Sequence, residues 1–166
     1  QLAIDLDKVR DTGKRVVQCH GVFDLLHPGH LRHFRAAKEQ GDILVVSLTK
    51  DAYVRKGPGR PVFMEDWRAE TIAALDVVDY VCLVDASTAV ECIRALKPHV
   101  YAKGQDYVDP VLDLTGKIVD EASAVREVGG EIFFSDEITF SSSNLLNRFS
   151  DLLSLEQKSY LHHIRE

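Results

Sequence analysis

Five short apolar runs rich in β-branched residues alternate along this chain with segments of helical period, and that alternation restricts the fold more than any other feature. The runs lie at about 15–20 (RVVQCH), 43–48 (ILVVSL), 79–84 (DYVCLV), 99–102 (HVYA) and 131–135 (EIFFS). Unbroken apolar stretches of this length suit strands covered on both faces. With helices between them, they predict an open α/β architecture, a five-stranded parallel sheet with helices on both faces. The helices are expected at 29–40, ended by Gly41, at 65–75, at 87–97, stopped by Pro98, at 116–128, ended by Gly129 and Gly130, and at 142–149. Residues 1–150 read as one domain. The segment 151–166 carries Leu152, Leu153, Leu155, Tyr160, Leu161 and Ile164 and reads as a terminal helix or the start of a linker to a further domain.

Composition narrows the function classes. The chain has 166 residues, is 45% hydrophobic and carries a net charge of −6, so it fills one core but lacks the basic face of a general nucleic-acid binder. Any phosphate must be held by a local pocket. Cys19, Cys82 and Cys92 form no CxxC pair and read as reduced, buried thiols. No run approaches the roughly 20 apolar residues of a membrane span, and the start QLAIDLDKVR has no signal-peptide profile. A soluble cytoplasmic protein is expected.

The segment GVFDLLHPGH, residues 21–30, falls where the first strand gives way to the first helix. Ligands of open α/β sheets bind at the carboxyl ends of strands, and a phosphate there meets free backbone N–H groups and the positive end of a helix dipole. Gly21 allows close backbone approach. Pro28 and Gly29 shape the turn so that His27 and His30, three apart, face one side. Two imidazoles there can donate hydrogen bonds to phosphoryl oxygens as charge develops in a transition state, with no covalent intermediate. Downstream, residues 55–61 (RKGPGRP) pack glycines, prolines and three cations into an exposed loop, and 104–115 form a second irregular stretch.

The run GVFDLLHPGH resembles the GxFDxxHxGH signature of the cytidylyltransferase-like nucleotidyltransferases, which share a Rossmann-like fold. The blocks RKGPGRPVFMEDWRAETIAALDVVDYV and ALKPHVYAKGQDY are similar to the branch containing the heptose-1-phosphate adenylyltransferase domain of ADP-heptose synthesis. That resemblance implies transfer of a nucleoside monophosphate from ATP or CTP to a sugar phosphate, with release of pyrophosphate and with Mg²⁺ accompanying the triphosphate. It makes His27, His30 and Lys56 catalytic, and Gly21, Val22, Phe23, Gly29, Arg60, Lys103, Asp106 and the hydroxyl run Ser141, Ser142 and Ser143 nucleotide-binding. It also implies a homodimer and a possible fused or partner sugar kinase. Asp136 and Glu137 stand where glycerol-phosphate cytidylyltransferases have Arg-Thr, which turns the expectation toward ATP. A CTP-dependent enzyme acting on a polyol phosphate or phosphonate, and a nucleotide-sensing module, are the alternatives.

Plainer readings accompany these. Lys56 and Arg60 are otherwise solvated loop charges that lack obvious permanent partners, Lys103 and Asp106 a surface ion pair, and the serine run an N-cap. Asp24 either coordinates Mg²⁺ or holds the turn. Cys19, His20, His27, His30 and His33 could suggest zinc, but no closed four-ligand spacing emerges. His33 reads as a helix-surface residue. Trp67 and Arg68 are assigned to structure, Trp67 because no aromatic ladder adjoins it.

Overall fold

The computed structural model describes residues 1–56, 59–104 and 117–136. Strands β1 (Val16–Gly21), β2 (Ile43–Thr49), β3 (Tyr80–Val84), β4 (Val100–Gly104) and β5 (Glu131–Ser135) form one sheet in the order β3-β2-β1-β4-β5. Every pairing is parallel, and Val17 of β1 lies between Leu44 of β2 and Val100 of β4. This is the open parallel α/β sheet expected from the alternation, and the Rossmann-like fold that the resemblance implies. Because the chain winds from β1 toward β3 on one side and reaches β4 and β5 on the other, the topological switch point falls between β1 and β4. Doubly wound sheets open a ligand crevice at that point.

Alternate residues of each strand feed opposite layers, as a period of two requires. Val17, Cys19, Leu44, Val46, Leu48, Val100 and Ala102 pack with Phe34 and Ala37 of α2 (Pro28–Lys38) and Ile72 of α3 (Glu65–Ala73). On the other face, Tyr101 packs with Ile93 of α4 (Val90–Leu96) and with Ala124 and Val125 of α5 (Lys117–Glu127). The helix expected at 142–149 and the tail 151–166 lie outside the described residues.

Gly41 does not end α2, which stops at Lys38. A Cβ at Gly41 would come within 2.8 Å of Val17 Cγ2 and 2.9 Å of the Arg15 carbonyl, so the glycine admits the chain against β1. Gly129 does follow α5, in the left-handed region at φ +78°. Pro98 likewise follows α4, whose C-cap Lys97 is turned left-handed at φ 47°.

The element missed in the sequence is α1 (Leu2–Asp11). Leu2, Ala3, Leu6 and Val9 recur at helical spacing, and Leu6 is fully buried with Val16, Val45 and Leu96. Arg10 Nη1 also donates to the Leu96 carbonyl at 2.8 Å, which pins α1 to the end of α4. Leu6→Ala is expected to lower unfolding stability by about 2–5 kcal/mol in a denaturant titration. Ile4→Ala, on the exposed face of the same helix, should stay within about 0.5 kcal/mol.

Candidate active site

Beyond β1 the chain turns sharply. Phe23 takes a left-handed conformation at φ 47°, and its ring folds back over Gly21, where a Cβ would meet ring carbons at 3.0 Å. A side chain at that position would press the Phe23 ring outward by a few tenths of an ångström. The ring then stands edge-on to Phe34 at 5.0 Å and to His30 at 5.3 Å between centroids, so it forms an apolar wall behind His30.

His27 is the N-cap of α2, with Pro28 as the first helical residue and the His27 Nδ1 accepting from the Gly29 N–H at 3.2 Å. That bond places the ring proton of His27 on Nε2. His30 stacks on it with centroids 3.8 Å apart, and its buried Nδ1 has no partner among the described residues. An orphaned lone pair costs less than an orphaned N–H, so His30 also carries its proton on Nε2. Burial, followed by the charges of His27, His33 and Lys56, pushes His30 down to about 3, and burial lowers His27 as well. The pair is therefore neutral near pH 7 and offers two N–H donors.

Asp24 fills the second of its two roles, holding backbone in place. Its Oδ2 accepts from Arg60 Nε at 2.5 Å, and its Oδ1 accepts from the Val62 and Phe63 N–H groups at 2.7 and 3.0 Å. Burial alone would raise its pKa, but the Phe63 N–H, Arg60 and the Val62 N–H together lower it. A cation on Asp24 would have to displace a guanidinium, so this carboxylate does not suit Mg²⁺. Among the described residues no cluster of three His, Cys, Asp or Glu side chains could hold a metal ion.

Arg60 thus has a permanent partner, contrary to the expectation of a free loop cation, and the pair is almost fully buried. One of its donors, Nη2, is buried and unpaired. Lys56 lies on the same side. Desolvation first, and then the charge of Arg60, hold its ammonium below the ordinary lysine range. Gly57 and Pro58 of this loop lie outside the described residues.

The bracket that joins these parts is Arg68, which is 2% exposed. Its guanidinium donates to the carbonyls of Val22, Thr49 and Phe63 at 2.5, 2.9 and 3.0 Å and to Asp51 Oδ1 at 2.6 Å. Its assignment to structure holds, yet through Val22 and Phe63 it fixes both sides of the site. Its position four residues before the buried Ile72 is the signal that it faces inward.

Two other residues depart from their expected places. His33 is not on the surface: it is 9% exposed, and its Nδ1 lies 2.8 Å from Ser135 Oγ. Lys103 is buried at the end of β4, where its ammonium meets Glu121 Oε2 at 2.7 Å within the α4–α5 layer. That carboxylate also accepts from Tyr101 Oη and the Ala89 N–H. Neither Glu121 nor Ser135 stands out in the sequence. Trp67 does have an aromatic neighbour, Phe63 at 6.5 Å, and both are exposed. The ring nitrogens of His20 lie within 3.0 Å of Ser47 Oγ and 3.2 Å of Thr49 Oγ1, which occupies the atoms that zinc would need. Asp106, Ser141, Ser142 and Ser143 lie outside the described residues.

The structure thus gathers Gly21, Val22, Phe23, His27, Gly29, His30, Lys56 and Arg60 around the carboxyl end of β1, beside the switch point. A neutral donor pair at a helix N-terminus, backed by an apolar wall and flanked by two cations, suits a polyanionic ligand. The sequence matches the model of the cytidylyltransferase-like family over residues 18–148. The chain belongs to that family and is a nucleotidyltransferase enzyme.

It is similar to the bifunctional protein HldE of Trichlorobacter lovleyi, 50% identical over 100 residues that make up 59% of this chain and 20% of that protein. It is also similar to HldE of Geobacter metallireducens, 40% identical over 151 residues, 87% of this chain and 28% of that one. The chain thus spans less than a third of the curated relatives it matches. Among solved structures it resembles the lipopolysaccharide core biosynthesis protein from Thermoplasma volcanium. That match has a TM-score of 0.63 at 27% identity and covers 76% of this chain and 100% of the other. A likeness in fold extends to a pantoate-beta-alanine ligase from Francisella tularensis, with a TM-score of 0.53 at 13% identity over 80% of this chain and 64% of that one.

Arg68→Lys is expected to lose about 3–5 kcal/mol of stability in thermal or denaturant unfolding. A single ammonium cannot reproduce a planar fork that meets three carbonyls and a carboxylate. A variant as stable as the wild type would show that Arg68 does not hold the site together.

Proposed function

We propose that this domain transfers a nucleoside monophosphate from a nucleoside triphosphate to a sugar phosphate of the heptose-1-phosphate type and releases pyrophosphate. The observation that carries this reading is the stacked pair His27 and His30, each presenting an Nε2–H at the N-terminus of α2. In this mechanism a phosphate oxygen of the acceptor attacks the α-phosphorus. The bond from that phosphorus to the bridging oxygen breaks, and its electron pair leaves with pyrophosphate. The acceptor oxygen is already anionic, so no base is required. The imidazoles donate to oxygens whose charge grows in the transition state, while Lys56 and the unpaired Nη2 of Arg60 offset the charge of the triphosphate. Magnesium belongs here to the substrate, as the counter-ion of the triphosphate.

The acceptor class is supported by the similarity to HldE proteins and to a lipopolysaccharide core biosynthesis protein. That the relatives are bifunctional and much longer than this chain fits a fused or partner sugar kinase that phosphorylates the acceptor. ATP is the proposed donor, because Asp136 and Glu137 replace the Arg-Thr pair of the glycerol-phosphate enzymes.

Two measurements test this. His27→Ala and His30→Ala should each lower kcat by about 100-fold or more in a pyrophosphate-release assay with the fold intact, and unchanged turnover in both would remove their catalytic role. Calorimetric titration with ATP and CTP in the presence of Mg²⁺ should favour ATP. Tenfold tighter CTP, about 1.4 kcal/mol, would instead assign a cytidylyltransferase.

A further inference from the structure

Two lips flank the β1–β4 switch point at the carboxyl edge of the sheet. One is the β1 turn with α2, which holds His27 and His30, and the other is the carboxyl end of β4 and β5, at Gly104 and Ser135. Helix α2 lies across both halves of the sheet on one face. Its apolar contacts, through Phe34 and Ala37 with Val17 and Ala102, are close but not directional.

His33 adds a directional contact. It follows His30 by three residues, so it neighbours that ring on the helix while turning further toward the sheet. Its Nδ1 lies 2.8 Å from Ser135 Oγ, and that oxygen lies 3.4 Å from the Lys103 carbonyl. Ser135 is fully buried and pairs with Gly104 in the β4–β5 ladder. The hydroxyl proton goes to the Lys103 carbonyl, so Ser135 accepts from an Nδ1–H of His33. Burial, then the nearby charge of Lys103, lower His33 to about 4, and the ring stays neutral in this arrangement.

We propose that His33 is a positioning residue that fixes the separation of the two lips by bonding Ser135, and so sets the affinity for the donor nucleotide rather than the rate of transfer. The inference rests on the nucleotide reading given above. A nucleotide that spans the switch point contacts both lips, whereas the donors to the reacting phosphate sit on the β1 lip alone. Loosening the tie therefore weakens binding and spares the chemical step.

Five variants of the full chain test it: His33→Leu, His33→Asn, His33→Gln, Ser135→Ala and the double variant that combines His33→Leu with Ser135→Ala. The Asn amide can place an N–H where Nδ1 stands, while the Gln amide reaches the position of Nε2 instead. Kd for ATP and CTP by calorimetry, together with KM and kcat, should show His33→Leu and Ser135→Ala weakened about fivefold or more in Kd and KM, the range of one lost hydrogen bond. Their kcat should stay within about threefold of wild type, and the double variant should be no worse than either single one. His33→Asn should lie within about twofold of wild type and His33→Gln should behave like His33→Leu.

Unchanged Kd and KM in His33→Leu, an equal fall in kcat, or an Asn variant no better than the Leu variant would each overturn the proposal. If His33→Leu does not fold, Ser135→Ala and the Asn-to-Gln contrast decide by the same criteria. A wild type that binds neither triphosphate sinks the nucleotide reading and this inference with it. Wild-type binding with unaltered variants sinks the inference alone.

Discussion

Arg68 is the interaction on which the active-site end of this domain depends. A buried guanidinium is costly unless its donors are met, and here they meet three carbonyls and one carboxylate from four different places in the chain. Val22 lies just beyond β1, Thr49 ends β2, Asp51 opens the turn after it, and Phe63 precedes α3. The same cation therefore sets the height of the phosphate turn, closes the end of the neighbouring strand and anchors the return of the cationic loop. Asp24 completes the clasp by gripping Arg60 and the two N–H groups at Val62 and Phe63. The mouth of the site is consequently held by hydrogen bonds with direction, where apolar packing alone would leave it loose.

Around this frame the histidines are given fixed roles by what their other nitrogen touches. Gly29 occupies Nδ1 of His27, and an apolar pocket against Phe23 leaves Nδ1 of His30 without a partner among the described residues. Both routes lead to the same tautomer, with the outward nitrogen protonated. His33, on the same helix, is committed inward instead. Three histidines at equal spacing thus divide into two whose Nε2 is left unengaged among the described residues and one structural tie, because each step of three turns the side chain about 60° further round the helix and brings His33 onto the sheet.

Much of this was legible in the sequence, for physical reasons that also explain where legibility stopped. Strands buried on both faces read as continuous apolar runs, so their number and order could be taken directly from Val16, Ile43, Tyr80, Val100 and Glu131 onward. The phosphate turn was legible because its glycine, proline and paired histidines answer local geometric demands. Helix α1 was not, since its stripe of Leu2, Ala3, Leu6 and Val9 is narrow and its reason to exist is distant: it covers Val16, Val45 and Leu96. His33 was misplaced for the same reason. A polar side chain on a helix is taken for an exposed one unless its partner is visible, and Ser135 lies 102 residues away in the chain. The loop cation Arg60 was likewise taken to lack a partner because Asp24 stands far before it.

The stacking of His27 on His30 carries a consequence for how this enzyme senses its medium. Two rings 3.8 Å apart share one small, half-buried space, so a full proton load on both is opposed by their mutual repulsion and by desolvation. An anion seated against them reverses that balance by favouring the charged form. Only in the interval between the free and the anion-bound pKa values is anion binding coupled to proton uptake, and there affinity falls as the solution becomes more alkaline. Within that interval the heat of binding contains the ionisation enthalpy of whichever buffer supplies the proton, and above it both rings bind as neutral donors.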